Sequence, residues 1–340
     1  MNSLLKKNIK LLILALYFPV SLIAQNTNQT LLANQFLKAG MYQKASVLYT
    51  TLYKEHKSSN YYQGLLECYL ALSEIEKAEK LVKKYSKKHP NNSSVLVDYA
   101  HIYTLKGENK KAEKKFKSLL SLLNKNENLV AVTANRLYKF SHFHYAIEAY
   151  KIGLRNPTKG NYRFQLARIY GQLGDINLMY ENYLELITSN KQYLQSVKTT
   201  LNRTINNDPE NENNLLLKSI LIRKVQETND ENLADLLIWL FIQEKNFTAA
   251  FDQEKAMDQK LNSDQKKVFI LASICRKNKA FSVAKSCYTY IISKGTESSY
   301  YLDAQLALLT VNKELLEAKP KATTEEWVVL EQEYISSFLF

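Results

Sequence analysis

From Ser94 to Asn124 the apolar positions fall into two helical stripes separated by one turn. Val95, Leu96, Tyr99, Ala100 and Tyr103 share one face of a helix, and Gly107 then breaks the run in a Lys-Gly-Glu-Asn turn. Ala112, Phe116, Leu119, Leu120 and Leu123 mark the inward face of a second helix. Small residues at Ala100 and Ala112 let the two helices approach, and extra bulk there would cost roughly 1–3 kcal/mol by overpacking. The same unit recurs. Ala45, Ala78, Ala112 and Ala146 stand 33, 34 and 34 residues apart, and Lys precedes the first three of them. The next step lands on Met179, and Ala250 and Ala284 are again 34 apart.

A fixed period near 34 residues with two helices per period resembles the tetratricopeptide repeat. The small residue of that repeat's first helix matches Ala33, Ala100, Ala134, Ala167 and Ala272. The later first-helix aromatic matches Phe36, Tyr69, Tyr103, Tyr170 and Phe241, and the second-helix aromatic matches Tyr49, Phe116, Tyr150, Tyr183 and Tyr288. The closing proline is present at Pro90 and nearly so at Pro157, while Tyr62 stands where the first-helix Trp is usual. An ordinary helical bundle would show no fixed period. The resemblance implies an all-α fold, a right-handed superhelical solenoid of antiparallel helix pairs with a concave groove lined mainly by first helices.

Four segments follow. Residues 1–24 read as a leader, 25–190 as an array of about five units, 191–231 as a divergent repeat or bend, and 232–340 as further units with an incomplete last helix. Met179 in the place of alanine predicts a looser helix pair. Between 191 and 231, helices are expected over Tyr193–Ile205 and Asn213–Gln226, joined by the polar turn Asp208-Pro209-Glu210-Asn211. Thr324 is expected to cap the last helix, with acids in its first turn. Phe338-Leu339-Phe340 is an unusual close for a solenoid, whose terminal helix normally turns a polar face outward. It reads either as a chain folding back onto its last unit or as the front part of a longer exported protein of the kind found in Bacteroidota, which this sequence resembles.

Composition adds an address. Eight Gly and five Pro in 340 residues suit helices joined by short turns. Lys6, Lys7 and Lys10 precede the apolar run Leu11–Phe18, and Ile23-Ala24-Gln25 follows, the pattern of a secretory signal peptide cleaved after Ala24. The apolar run is short of the roughly 20 residues needed to span a bilayer, and an uncleaved membrane anchor is the alternative reading. The Ala-Gln junction and the Lys-, Asn- and Tyr-rich composition resemble exported proteins of Bacteroidota and point to a periplasm or envelope. Cys275 and Cys287 fall on the two helices of one unit, where a core could bring them together. An oxidising compartment permits a bridge, and buried free thiols are the alternative.

No chemical motif stands out. There is no Cys-x-x-Cys, no His-Glu-x-x-His, no phosphate loop and no nucleophile elbow. No enzyme activity, metal or cofactor is expected. Net charge is +13, and between Lys77 and Lys117 twelve lysines face four acids. The basic second-helix positions Lys83, Lys84, Lys87, Lys88, Lys110, Lys111, Lys114 and Lys115 form a candidate basic face for anionic lipid or glycan. Nucleic acid is not expected, because no recognition module accompanies the charge. By the repeat's pattern, groove contacts would be Asn34, Lys38, Glu67, His101, Asn135, Tyr138, Lys139 and Arg168. Some members of the repeat family clamp a terminal carboxylate with a Lys/Asn/Arg set. Asn34 and Asn135 match its Asn, but Thr30 and Ala131 replace the Lys, and Gly64, Ser94 and Asp98 fill the other positions. The sequence therefore supports a non-catalytic periplasmic scaffold whose groove holds a protein partner or bridges envelope components. The alternative is an envelope-surface protein docked through its basic face.

Overall fold

The computed structural model describes residues 28–156 and 160–337. The expected leader, Pro157 and the closing Phe338-Leu339-Phe340 lie outside the described residues. The regular structure of the described residues is entirely helical, with no strand among them. Contacts divide the chain at Tyr162/Arg163 into two units.

Among the described residues the first unit holds four helix pairs. They are α1 (28–38) with α2 (Tyr42–His56), α3 (Ser59–Ala71) with α4 (Ile75–Ser86), α5 (Ser93–Leu105) with α6 (Asn109–Lys125), and α7 (Val130–Lys139) with α8 (Phe143–Leu154). The second unit holds five: α9 (Arg163–Leu173) with α10 (Ile176–Ser189), α11 (Leu194–Leu201) with α12 (Glu212–Thr228), α13 (Glu231–Gln243) with α14 (Phe247–Leu261), α15 (Lys266–Lys277) with α16 (Phe281–Ile292), and α17 (Tyr301–Glu317) with α18 (Thr324–Ser337).

One turn repeats through the chain. Gly40, Ser73, Gly107, Ser141, Gly174, Lys245 and Lys279 all have left-handed backbones, with φ between +56° and +78°. Each follows a first helix, and the residue after it donates its N–H to a carbonyl five residues back. The bonds run from Met41 to Phe36, Glu74 to Tyr69, Glu108 to Tyr103, His142 to Leu137, Asp175 to Tyr170, Asn246 to Phe241 and Ala280 to Cys275, at 2.8–2.9 Å. This is a Schellman close, which satisfies the orphan carbonyls at the helix end and reverses the chain in three residues. The first-helix aromatics of the sequence pattern are thus the acceptor positions of the turn.

The small positions pack as the spacing predicts. Ala33, Ala100, Ala134, Ala167 and Ala272 are fully buried, as are Ala45, Ala78, Ala146, Ala250 and Ala284. Met179 is a departure with a cause. It is buried, and a Cβ added to Gly171 on the facing helix would lie 2.9 Å from its sulfur. The small residue has changed sides, so α9 and α10 pack along their length and the expected looser pair is not found. Gly64 plays the same part for Tyr49, whose ring would meet a Cβ there at 2.6 Å.

Three further expectations shift. On α5 burial extends to Ser93, Val97, Asp98 and Ile102, because a stacked first helix is covered by its own partner and by the next repeat; Leu96, Tyr99 and Tyr103 are only half-buried. In the divergent repeat α11 ends at Leu201, and the link that follows is stitched by Asn214, fully buried, whose amide donates to the carbonyls of Asn206 at 2.8 Å and Asp208 at 3.2 Å. The cap of α18 is Thr323 rather than Thr324: Thr323 Oγ1 accepts from Glu326 N–H at 3.3 Å and Glu326 Oε2 accepts from Thr323 N–H at 3.0 Å. That reciprocal pair is a capping box.

Candidate functional site: the first-helix face of the first unit

Consecutive first helices are tied by a buried polar chain. Tyr62 on α3 donates its hydroxyl to Asp98 Oδ2 on α5 at 2.7 Å. Arg136 on α7 donates to Asp98 Oδ1 through Nε and Nη2, each at 2.8 Å. Asp98 is 1% exposed. Burial pushes its carboxyl above the usual carboxylate range, and the Arg136 guanidinium and Tyr62 hydroxyl oppose that rise. Burial and the neighbouring Asp98 push the Tyr62 phenol up, so it stays a hydroxyl donor. Arg136 also lies over the Phe140 ring, 4.6 Å from its centroid.

In front of this chain is a cavity of about 530 Å³, where the N-terminal turns of α3, α5 and α7 meet the end of α4. One wall is an aromatic stack: Tyr62 on Tyr85 at 3.8 Å and Tyr85 on His89 at 4.2 Å between ring centroids. Val95, Leu129 and Val132 give an apolar side, with Val132 half exposed, and Gln63, Asn91 and Ser94 give polar edges. The volume and the mix of apolar wall with a few polar groups suit a ligand bound by shape.

The residues expected to line the groove separate into distinct settings. Glu67 and Lys139, two repeats apart, meet at 2.5 Å, so the two side chains reach past α5. Asn34 and Asn135 are exposed, but each accepts a hydroxyl from the second helix of its own repeat, from Tyr49 at 2.6 Å and Tyr150 at 2.8 Å. These carbonyls brace their helix pairs. His101 stacks on Phe140, with 4.0 Å between centroids, and its Nδ1 lies 3.1 Å from His142 Nε2. Burial, then His142 and Arg136, push His101 down to about 4, and burial lowers His142 as well. Tyr138 lies tilted against Phe143, Lys38 is exposed on α1, and Arg168 is exposed on α9 in the second unit.

The basic positions divide likewise. Lys83 and Lys84 are exposed on α4, Lys87 and Lys88 in the turn that follows it, and Lys110 and Lys114 on α6. Lys111 pairs with Glu108 at 2.6 Å, and Lys115 lies over the Tyr99 ring at 5.1 Å. A periodic contact also explains the Lys-Ala pairs of the sequence. Lys44, Lys77 and Lys111 sit over the rings of Phe36, Tyr69 and Tyr103 at 5.6, 5.8 and 5.6 Å, one cation–π contact at each of three turns. At the fourth turn Tyr145 replaces Lys and stacks on Phe116 at 3.9 Å.

Sequence reasoning missed the Tyr62–Asp98–Arg136 chain and the cavity in front of it. The one available signal was an acid, Asp98, within an apolar helix. Among the described residues no group of three metal-ligating side chains is present, and no helix is long and apolar enough to cross a membrane. Cys275 and Cys287 are free, buried thiols on α15 and α16; their mutual hydrogen bond draws Cys275 down and pushes Cys287 up.

Helix pair, left-handed close and 34-residue step together define an all-α helical-repeat protein built from tetratricopeptide-like pairs. No family model matches the chain, and no curated protein does. Solved structures similar to it include the C-terminal part of a TPR repeat-containing protein from Cytophaga hutchinsonii, with 13% identity over 86% of this chain and 96% of that one, at a TM-score of 0.31. Another is the P58(IPK) TPR domain, with 12% identity over 87% and 100% of the two chains, at 0.26. A third is the Cut9–Hcn1 hetero-tetramer of the APC/C, with 13% identity over 91% and 52%, at 0.31. At these scores the superpositions carry no argument, and the assignment rests on the repeat's own geometry.

Proposed function

We propose that this protein is a non-catalytic scaffold that holds a polypeptide segment in the cavity at the start of α3, α5 and α7. The observation that carries this reading is the cavity itself, with an aromatic wall held in place from behind by the buried Tyr62–Asp98–Arg136 chain. A wall fixed before binding lowers the ordering cost of recognition. Apolar side chains of an extended segment would meet Val95, Leu129 and Val132, and its backbone would find Gln63, Asn91 and Ser94. The Glu67–Lys139 pair, about half exposed, is worth at most about 1 kcal/mol and yields to a ligand easily.

The signal-peptide pattern that ends at Ala24 supports an exported protein acting in the periplasm or on the envelope. Amino-terminal sequencing of the protein from native cells should begin at Gln25; a retained Met1 contradicts export with cleavage.

The binding reading is tested by affinity capture from envelope extract with wild-type and Val132→Asp baits. A polypeptide retained by wild type and lost from the variant is the expected result. Equal retention by both, or no enriched polypeptide, contradicts it.

A further inference from the structure

We propose that a second hollow, between α2, α3 and α4, binds a phosphomonoester or diphosphate group. It encloses about 440 Å³ and shares no residue with the cavity described above. Five of its ten lining residues are lysines, Lys54, Lys57, Lys77, Lys80 and Lys84, and none is acidic. Lys77 is engaged, with Nζ 2.7 Å from Glu74 and over the Tyr69 ring. Lys57 Nζ reaches only the carbonyl of Lys54, at 3.3 Å. Among the described residues Lys54, Lys80 and Lys84 have no carboxylate partner.

An exposed lysine on a convex helix is ordinarily left to water. These five instead ring a concavity floored by Tyr53, Tyr69, Leu65 and Leu81. All five are exposed, so an anion among them gains from their summed positive charge, and the apolar floor beneath offers contact to whatever carries that anion. Lysine presents a compact point charge on a flexible stem, whereas planar carboxylates are gripped best by the arginine fork, and no arginine lines this hollow. The chemistry therefore favours a small, multiply charged anion, with the group that carries the phosphate lying on the tyrosine and leucine floor. A free phosphate ester and a phosphate headgroup share that chemistry. Of the eight basic-face positions named from the sequence only Lys84 belongs to the hollow, while Lys77 and Lys80 fall within the lysine-rich stretch counted there. Lys54 and Lys57 come from the preceding repeat, which the count of lysines along the chain did not reach.

The test uses the whole chain and two probes. Inorganic pyrophosphate is titrated calorimetrically, and flotation is measured with phosphatidylcholine vesicles with and without phosphatidic acid. Lys80→Gln/Lys84→Gln is compared with Lys110→Gln/Lys114→Gln, which removes the same charge from α6. Glutamine keeps the helix propensity of both exposed surfaces. The expected result is binding of at least one probe, weakened about tenfold or more in the first double variant and less than about twofold in the second. Pyrophosphate binding identifies a soluble ester as the source, and binding only to phosphatidic acid vesicles identifies a headgroup. Absence of binding to both probes, or equal weakening in the two double variants, overturns the proposal. The Val132→Asp bait leaves this hollow untouched, so the two readings fail separately.

Discussion

Arg136 and Asp98, on helices of adjacent repeats, meet through two donors at 2.8 Å, with Asp98 almost fully buried. The pair joins α5 to α7, and the Tyr62 hydroxyl extends it to α3, so one carboxylate fixes three repeats. Removing one partner of such a pair leaves a charge buried without compensation, at about 3–5 kcal/mol. Arg136→Met should lower stability by that order in urea unfolding. Arg136→Met with Asp98→Asn should recover much of the loss, because no charge is then stranded. A loss in the double variant equal to or beyond that of Arg136→Met would mean the pair is not coupled as described.

Gly171 and Met179 should show strong non-additivity. Gly171→Ala forces a methyl into the Met179 sulfur, at roughly 1–3 kcal/mol, and Met179→Ala alone leaves a cavity at about 2–5 kcal/mol. In Gly171→Ala/Met179→Ala the clash is gone, so the loss should fall short of the sum of the two single losses. A double-mutant cycle in urea reads this directly.

The repeated turn makes a signed prediction. Lys245 and Lys279 hold left-handed backbones that glycine adopts without strain. Lys245→Gly and Lys279→Gly should each raise the thermal midpoint, by up to about 1 kcal/mol of stability. Gly107→Ala, at φ +72°, should lower it by about 1 kcal/mol.

Most of this architecture was legible in the sequence because the repeat forces it. The small positions, the aromatic at each first-helix end and the breaks at Gly40, Gly107 and Gly174 recur at fixed spacing, and each has one packing or turn role. What was not legible depends on contacts between helices, within a repeat as well as across repeats. Asp98 reads as a surface acid until α3 and α7 cover it. Asn34 and Asn135 read as free groove contacts until Tyr49 and Tyr150, fifteen residues on, claim their carbonyls. Met179 looked like a packing defect because its compensation, Gly171, is on the facing helix and looks like an ordinary glycine. Ser73, Ser141, Lys245 and Lys279 show that the left-handed close does not need glycine, so composition hides four of its seven occurrences.

Two groups, one in each unit, should respond to pH in opposite directions. His101 is pushed down to about 4 from an ordinary 6.5, so its neutral form is favoured on folding. Its stabilisation is complete above pH 6.5 and is lost as pH falls toward 4. Glu254 is pushed up to about 7 from 4.5, chiefly by burial. The folded chain holds that proton more tightly, so its contribution is complete below pH 4.5 and lost as pH rises toward 7. With solvent screening, each is worth on the order of 1–2 kcal/mol. Glu254→Gln should stabilise the chain at pH 8 and do little at pH 4. Once the intrinsic slowing of exchange on acidification is divided out, amides in α5 should lose protection between pH 6.5 and 4, and His101→Gln should suppress that loss.

The scaffold reading is tested most directly by site-specific photo-cross-linking in native cells. A photoreactive residue at Val132, on the rim of the first-unit cavity, is compared with one at Ile270, similarly exposed on α15 of the second unit. The account predicts one discrete polypeptide adduct at Val132, lost when Tyr62→Ala removes the aromatic wall, and none at Ile270. No adduct at Val132, or the same adducts at both positions, would contradict it.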